Sequence, residues 1–255
     1  MTAARSERPR AAAIARSITR SLDGMARPAG SFDAARYFRG DHGLRFHNAG
    51  TASMRALARD VYAANKDQWT VADAMDVADV LMRDPYLEAK SVGVELVARY
   101  RKTFTLALLQ RWKRWLADNL SANWATTDAM CGLLIGPFLV DHPAMTSRIH
   151  GWSGDRNMWV RRASAVSLIP LLRKGNALDT GYSIASRLHP DREDLIQKAV
   201  GWMLREAGKT DMPRLERYLL KNGARIPRTT LRYAIERFPA SKRKKLLTDT
   251  RAPRR

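Results

Sequence analysis

From about residue 31 onward, apolar residues recur at spacings of three and four with little strict alternation, a rhythm that predicts helix after helix and no strand. Proline or glycine interrupts it at Asp84-Pro85, Gly136-Pro137, His142-Pro143, Gly175-Asn176, His189-Pro190, Met212-Pro213, Gly223 and Ile226-Pro227. Pro lacks a backbone donor and Gly is permissive, so these positions are expected to separate the helices.

Behind the interruptions lies a period. Val160-Arg-Arg-Ala163, Ile196-Gln-Lys-Ala199 and Leu231-Arg-Tyr-Ala234 each open a helix in the order apolar, polar, polar, Ala, and they follow one another at about 36 residues. Tyr86-Leu-Glu-Ala89 is a fourth copy, two periods before Ala163. A repeat of that length holds two helices and buries its apolar face on the next copy, which predicts an all-α fold: an α-solenoid of HEAT-like helical repeats with a concave inner surface. An irregular helical bundle with chance similarity is the competing reading.

Charge sharpens the picture. The 255 residues carry 45 Lys+Arg against 25 Asp+Glu, a formal net charge of +20. Such a field attracts polyanions and leaves nucleic acid or an anionic membrane surface as partners. On a concave face it makes a DNA cradle, whose cations contact phosphates without reading sequence. No run approaches the roughly 18 apolar residues of a membrane span. The single cysteine, Cys131, excludes an intrachain disulfide, and five scattered histidines offer no zinc-ligand spacing, so neither metal nor cofactor is expected. Residues 1–27 hold Arg5, Arg8, Arg10, Arg16, Arg20 and Arg27 with two acids and no apolar core. That composition predicts a mobile basic arm over 1–30, ahead of a single repeat domain at 31–247 and a basic tail at 248–255. It also suits an organellar transit peptide; the bacterial cytoplasm or nucleoid is otherwise the expected location, and a monomer the expected state.

The candidate chemistry lies within the repeats. Trp124 and Asp128, in Asn123-Trp-Ala-Thr-Thr-Asp128, are four apart and share one helix face. Arg162 stands in Trp159-Val-Arg-Arg-Ala163 and Trp202 in Gly201-Trp-Met-Leu-Arg-Glu206. Trp202 aligns with Val166, one turn beyond Arg162, so both belong to one stripe of neighbouring repeats. Taken singly, each tryptophan reads equally as core, Asp128 as one half of an ion pair, and Arg162 as a solvated cation.

The stretches 123–128, 157–166 and 198–206, with a looser match in Ala-Arg-Tyr-Phe-Arg at 35–39, resemble the AlkD-type DNA alkylation-repair glycosylases, which are HEAT-like solenoids. The resemblance runs from about residue 31 to about 247. It implies that Asp128 is the catalytic carboxylate and that Trp124 and Trp202 are aromatic walls against the lesion's deoxyribose. It also implies that Arg162, with Arg161 beside it, binds backbone phosphate, and that Tyr37 adds a flanking contact. Where the family has a Phe-Leu-Gly-like turn soon after Tyr37, this chain has Gly43-Leu-Arg-Phe-His-Asn-Ala-Gly50.

The activity so implied is hydrolysis of the N-glycosidic bond of positively charged N3- or N7-alkylpurines in double-stranded DNA, without strand cutting. These residue types suit it. A cationic base is already a good leaving group, a carboxylate near C1′ stabilises the oxocarbenium-like sugar, and indole faces attract a cation. The alternative from another class is a non-catalytic HEAT-like protein that recognises damaged, bent or branched DNA.

Overall fold

The computed structural model describes residues 3–30, 37–38 and 43–251, and every regular element among them is a helix. An isolated bridge between Arg45 and Tyr86 is the one β-type pairing among the described residues. By its internal contacts the chain divides into two compact units, Met1–Leu134 and Ile135–Arg255. The sequence pattern runs through both without marking that division.

The first unit begins where a mobile arm was expected. Residues Ala3–Gly24 form helix α1 instead, which packs on α3 (Val71–Leu81) and α4 (Leu87–Ala98). Ala11, Ala15, Ile18 and Leu22 are buried along one stripe, while Arg16 and Arg20 stay in solvent. The physical reason is local: alanines favour helix, and four small apolar residues at spacings of four, three and four make a buried face that the arginine count conceals. Helix α2 (Thr51–Asn65) also packs on α4. Helix α3 starts from a capping box in which Thr70 and Asp73 satisfy each other's backbone N–H. Helix α5 (Leu106–Ala117) buries Trp112 and Trp115, and α6 (Trp124–Met130) packs on α4.

The second unit holds α7 (Gly136–Asp141), α8 (Thr146–Trp152), α9 (Met158–Val166), α10 (Ile169–Leu172) and α11 (Leu178–Leu188). It continues through α12 (Asp194–Gly208), α13 (Met212–Asn222), α14 (Arg228–Ala234) and α15 (Ala240–Asp249). Helix α12 is its axis, in contact with α9, α10, α11, α13 and α14. Helices α9, α12 and α14, the three aligned copies, lie in sequence against one another. Their equivalent positions Val160, Ile196 and Leu231, and Ala163, Ala199 and Ala234, are all buried. Ala89 of the fourth copy is buried in the first unit.

Most interruptions fall between helices, but Gly136-Pro137 does not. A π turn over Cys131–Ile135 follows α6 directly, and Pro137 falls in the first turn of α7. The helical path is continuous there, so the missing Pro137 N–H is accommodated next to a wider π turn and not by a loop. The last residues of the expected basic tail, 252–255, lie outside the described residues.

Candidate functional site

Helix α6 owes its position to Asn123. This fully buried side chain accepts a hydrogen bond from the Thr126 N–H at 2.8 Å and donates to the Ser121 carbonyl at 2.6 Å and the Thr126 hydroxyl at 3.0 Å. A buried N-cap with its amide satisfied on both sides fixes where the helix begins. It makes Trp124 the first helical residue and sets Asp128 one turn further along the same face. The preceding loop is held from α4. Buried Lys90 donates to the carbonyls of Met82 at 2.5 Å and Leu120 at 2.9 Å, and burial pushes its ammonium down to about 8 against the raising effect of Asp84. Asn119 and Ala122 adopt positive φ, 57° and 39°, in that loop. Ala gains nothing from this left-handed conformation, so local strain is concentrated one residue before the cap.

Trp124 is half-buried and clamped. Its Nε1 donates to the Tyr37 carbonyl at 3.0 Å, and its ring stacks on Phe38 at 5.1 Å with the planes 9° apart. Phe38 in turn meets Phe46 at 5.2 Å. One indole face is thereby covered by protein. The segment carrying Phe46 is anchored through its neighbour: the His47 N–H donates to Glu88 at 3.1 Å, and the His47 ring stacks on Tyr86 at 3.8 Å. The divergent stretch Gly43–Gly50 therefore supports the aromatic stack behind Trp124. Tyr37 is placed beside Trp124 through its backbone, while its side chain is 62% exposed. Asp128 is half-buried.

The remaining sequence candidates lie in the second unit. Arg162 on α9 is only 5% exposed and donates through Nη1 to the carbonyl of Leu195, in the first turn of α12. It ties two repeat copies together. Arg161, expected beside it as a phosphate contact, is also tied into the fold. Its Nε donates to Asp191 at 2.7 Å and its Nη1 to the carbonyls of Asp155 at 3.1 Å and Arg156 at 2.8 Å. Those bonds pin the turn before α9 to the turn before α12.

Trp202 is half-buried on α12, one turn after Lys198, whose ammonium pairs with Asp194 at 2.6 Å. The residue before it makes the packing possible. A Cβ on Gly201 would stand 2.5 Å from the Tyr233 Cβ and 2.7 Å from the Thr230 carbonyl oxygen, so α12 and α14 meet at near-backbone distance only because position 201 is glycine. The Thr230 hydroxyl seals this contact on the Gln197 carbonyl at 2.9 Å. Glu206, which closes the same stretch, is buried and accepts from Arg173 and Lys209 at 2.7 Å. Burial alone would raise its carboxyl; those two cations outweigh burial and hold it below the usual range.

The candidates thus form two groups: Trp124, Asp128 and the Tyr37 backbone in the first unit, and Arg161, Arg162 and Trp202 in the second. Phe38, Asn123 and Gly201 complete them without having been singled out from sequence. Asn before an aromatic at a helix start was a readable cap signal. Phe38 meets Trp124 across more than eighty residues of chain, and no local pattern announces such a contact. Among the described residues, no group of three or more His, Cys, Asp or Glu could hold a metal ion, and no helix is long and apolar enough to cross a membrane.

Comparison with known proteins places this geometry in context. A family model described as DNA alkylation repair enzyme matches residues 18–238. Among solved structures, one described as "Predicted DNA alkylation repair enzyme from Enterococcus faecalis" shares the fold at a TM-score of 0.70 and 18% identity, over 78% of this chain and 91% of that chain. No curated protein matches.

Proposed function

Because this chain belongs to the DNA alkylation repair enzyme family, whose name implies a DNA substrate, we propose that it is a monofunctional DNA glycosylase. Its reaction is hydrolysis of the bond between deoxyribose and an N3- or N7-alkylated, positively charged purine in duplex DNA. The observation that carries this reading is the capped start of α6, which holds Trp124 and Asp128 one turn apart on one face with the indole immobilised by Phe38 and the Tyr37 carbonyl.

The chemistry follows from that arrangement. The alkylated base leaves with its bonding electron pair and becomes neutral, while positive charge moves to C1′ and the ring oxygen. The Asp128 carboxylate faces that charge and positions a water, which adds to C1′ and gives up its proton to the carboxylate, from which it passes to solvent. A fixed indole face beside the sugar contributes cation–π attraction and excludes bulk water, which strengthens the carboxylate's field. Trp202 is assigned the second aromatic contact and Arg162 the phosphate nearest the lesion, with Tyr37 flanking. The helical repeats are read as a solenoid whose basic concave face cradles the duplex. Arg161 is kept beside Arg162 as a phosphate contact: its Nε and Nη1 are bound to Asp191 and two carbonyls, as the Arg162 Nη1 is to the Leu195 carbonyl.

Release of N7-methylguanine from a duplex, scored by alkali-sensitive cleavage, tests the reading. Asp128→Asn is expected to reduce release at least about a hundredfold, the scale of one electrostatic catalytic group, while duplex affinity stays within a few-fold. An Asn variant of normal activity removes Asp128 from its role. A wild-type protein that binds the duplex and releases no base belongs instead to the class of non-catalytic DNA-binding proteins.

A further inference from the structure

At the start of α14, three arginines gather with no acid among the described residues. Arg228 opens the helix, Arg232 follows one turn later on the same face and is exposed, and Arg251 is exposed just beyond α15. Arg228 draws the elements together: its Nη1 donates to the Thr250 hydroxyl at 3.2 Å and its Nη2 to the Leu247 carbonyl at 2.8 Å, closing the C-terminal end of α15. That fixes residue 251 near the start of α14.

The electrostatics are unfavourable as they stand. Arg228 is pushed below the usual guanidinium range by burial first, and then by the charges of Arg251 and Arg232. The nearest carboxylates along the chain are engaged elsewhere, Asp249 with Lys245 at 3.2 Å and Glu236 with Arg205. Among the described residues no carboxylate pairs with Arg228, Arg232 or Arg251. A cluster of like charges without counter-charge is relieved by an external anion, and a guanidinium offers two parallel N–H donors that match phosphate oxygens.

Position selects which anion. Helix α14 is the element that packs against Gly201, next to Trp202, so the cluster lies on the helix adjoining the aromatic residue assigned to the lesion. The family match ends at residue 238, so α15 and Arg251 lie outside the matched segment. We propose that Arg232 and Arg251, held together by the bonds of Arg228 to the end of α15, form a further contact to the phosphodiester backbone of duplex DNA, through which the end of α15 extends the footprint beyond that segment. The proposal rests on the reading that the protein acts on duplex DNA, but not on base excision.

The test measures binding of undamaged duplex by the full-length protein as a function of salt. Arg232→Gln with Arg251→Gln changes two exposed side chains and leaves the Arg228 cap of α15 in place. It is expected to lower affinity and to make the slope of log K against log salt shallower by about two, one for each phosphate no longer neutralised. Arg99→Gln with Lys102→Gln removes the same charge from exposed positions in the first unit and is expected to leave the slope near that of wild type. An unchanged slope in the Arg232/Arg251 variant, or an equal decrease in both variants, overturns the proposal. Excision of N7-methylguanine under single-turnover conditions at saturating protein is measured alongside. A shallower slope without any excision by wild type leaves the arginine contact standing while the glycosylase reading fails.

Discussion

At the scale of single residues, the two arginines of one dipeptide show how little residue type alone determines. Arg161 and Arg162 are neighbours in a basic protein, yet the first stitches two turns together and the second bridges α9 to a carbonyl of α12. Asn123 shows the reverse: a residue with no chemistry of its own fixes the start of the helix on which Trp124 and Asp128 depend. Replacing it with Ala removes a cap and leaves the Ser121 carbonyl and Thr126 hydroxyl short of a donor in a buried place. Asn123→Ala is expected to lower stability by roughly 1–3 kcal/mol in urea unfolding. Excision is expected to fall with it because the first turn carries Trp124. A loss below about 0.5 kcal/mol, the range of ordinary surface substitutions, counts against the cap. The Asn-Trp pair was legible in the sequence as the start of a helix, whereas the stack of Trp124 on Phe38 was not, because it depends on a contact between distant segments.

At the scale of elements, the contact between α12 and α14 is the one most dependent on a single atom. The aligned repeats place Gly201 where any Cβ meets Thr230 and Tyr233. Gly201→Ala must push the helices apart, although alanine is the better helix former. Overpacking is expected to win, with a loss of roughly 1–3 kcal/mol visible as a lower thermal midpoint and as altered Trp202 fluorescence. A gain in stability instead means that the helices separate at no cost and that propensity dominates. The repeat period anticipated that α9, α12 and α14 would be equivalent, since the spacing of buried Ala and aliphatic residues is written in the sequence. It did not anticipate α1. There the arginines dominate the composition, and the four apolar residues that dock the helix stand out only once α3 and α4 are present to cover them.

At the scale of the whole molecule, stability carries a pH dependence set by a buried histidine. His189 accepts or donates through Nε2 to the Tyr218 hydroxyl at 2.7 Å, and burial first, with Arg225 second, pushes its imidazolium down to about 4. The folded pKa lies below the unfolded value of about 6.5, so the unfolded chain binds the proton more readily. The stabilisation is fully present above about pH 6.5 and is lost as pH falls toward 4. Unfolding free energy is therefore expected to drop between about pH 6.5 and 5, above the main carboxylate range, by at most about 1.4 kcal/mol per pH unit. His189→Gln, which keeps a partner for Tyr218, is expected to flatten that interval in urea unfolding. An unchanged pH profile in the variant excludes His189 as its source.

The sequence by itself determined the helical class, the spacing of the buried aliphatic and alanine positions in α9, α12 and α14, and the placing of Trp124 and Asp128 on one helix face, because each rests on spacings within one or two turns or on short-range patterns. It also set the net charge that makes a polyanion the natural partner. Tertiary structure alone decided that the N-terminal arginine-rich segment is a packed helix, that Trp124 is clamped by Phe38 and a backbone carbonyl, and that Arg161 is bound internally. It alone gathered Arg228, Arg232 and Arg251 at one end of α14. Each of these depends on which distant groups become neighbours, and hydrogen bonding, burial and like-charge repulsion exist only after the chain has brought them together.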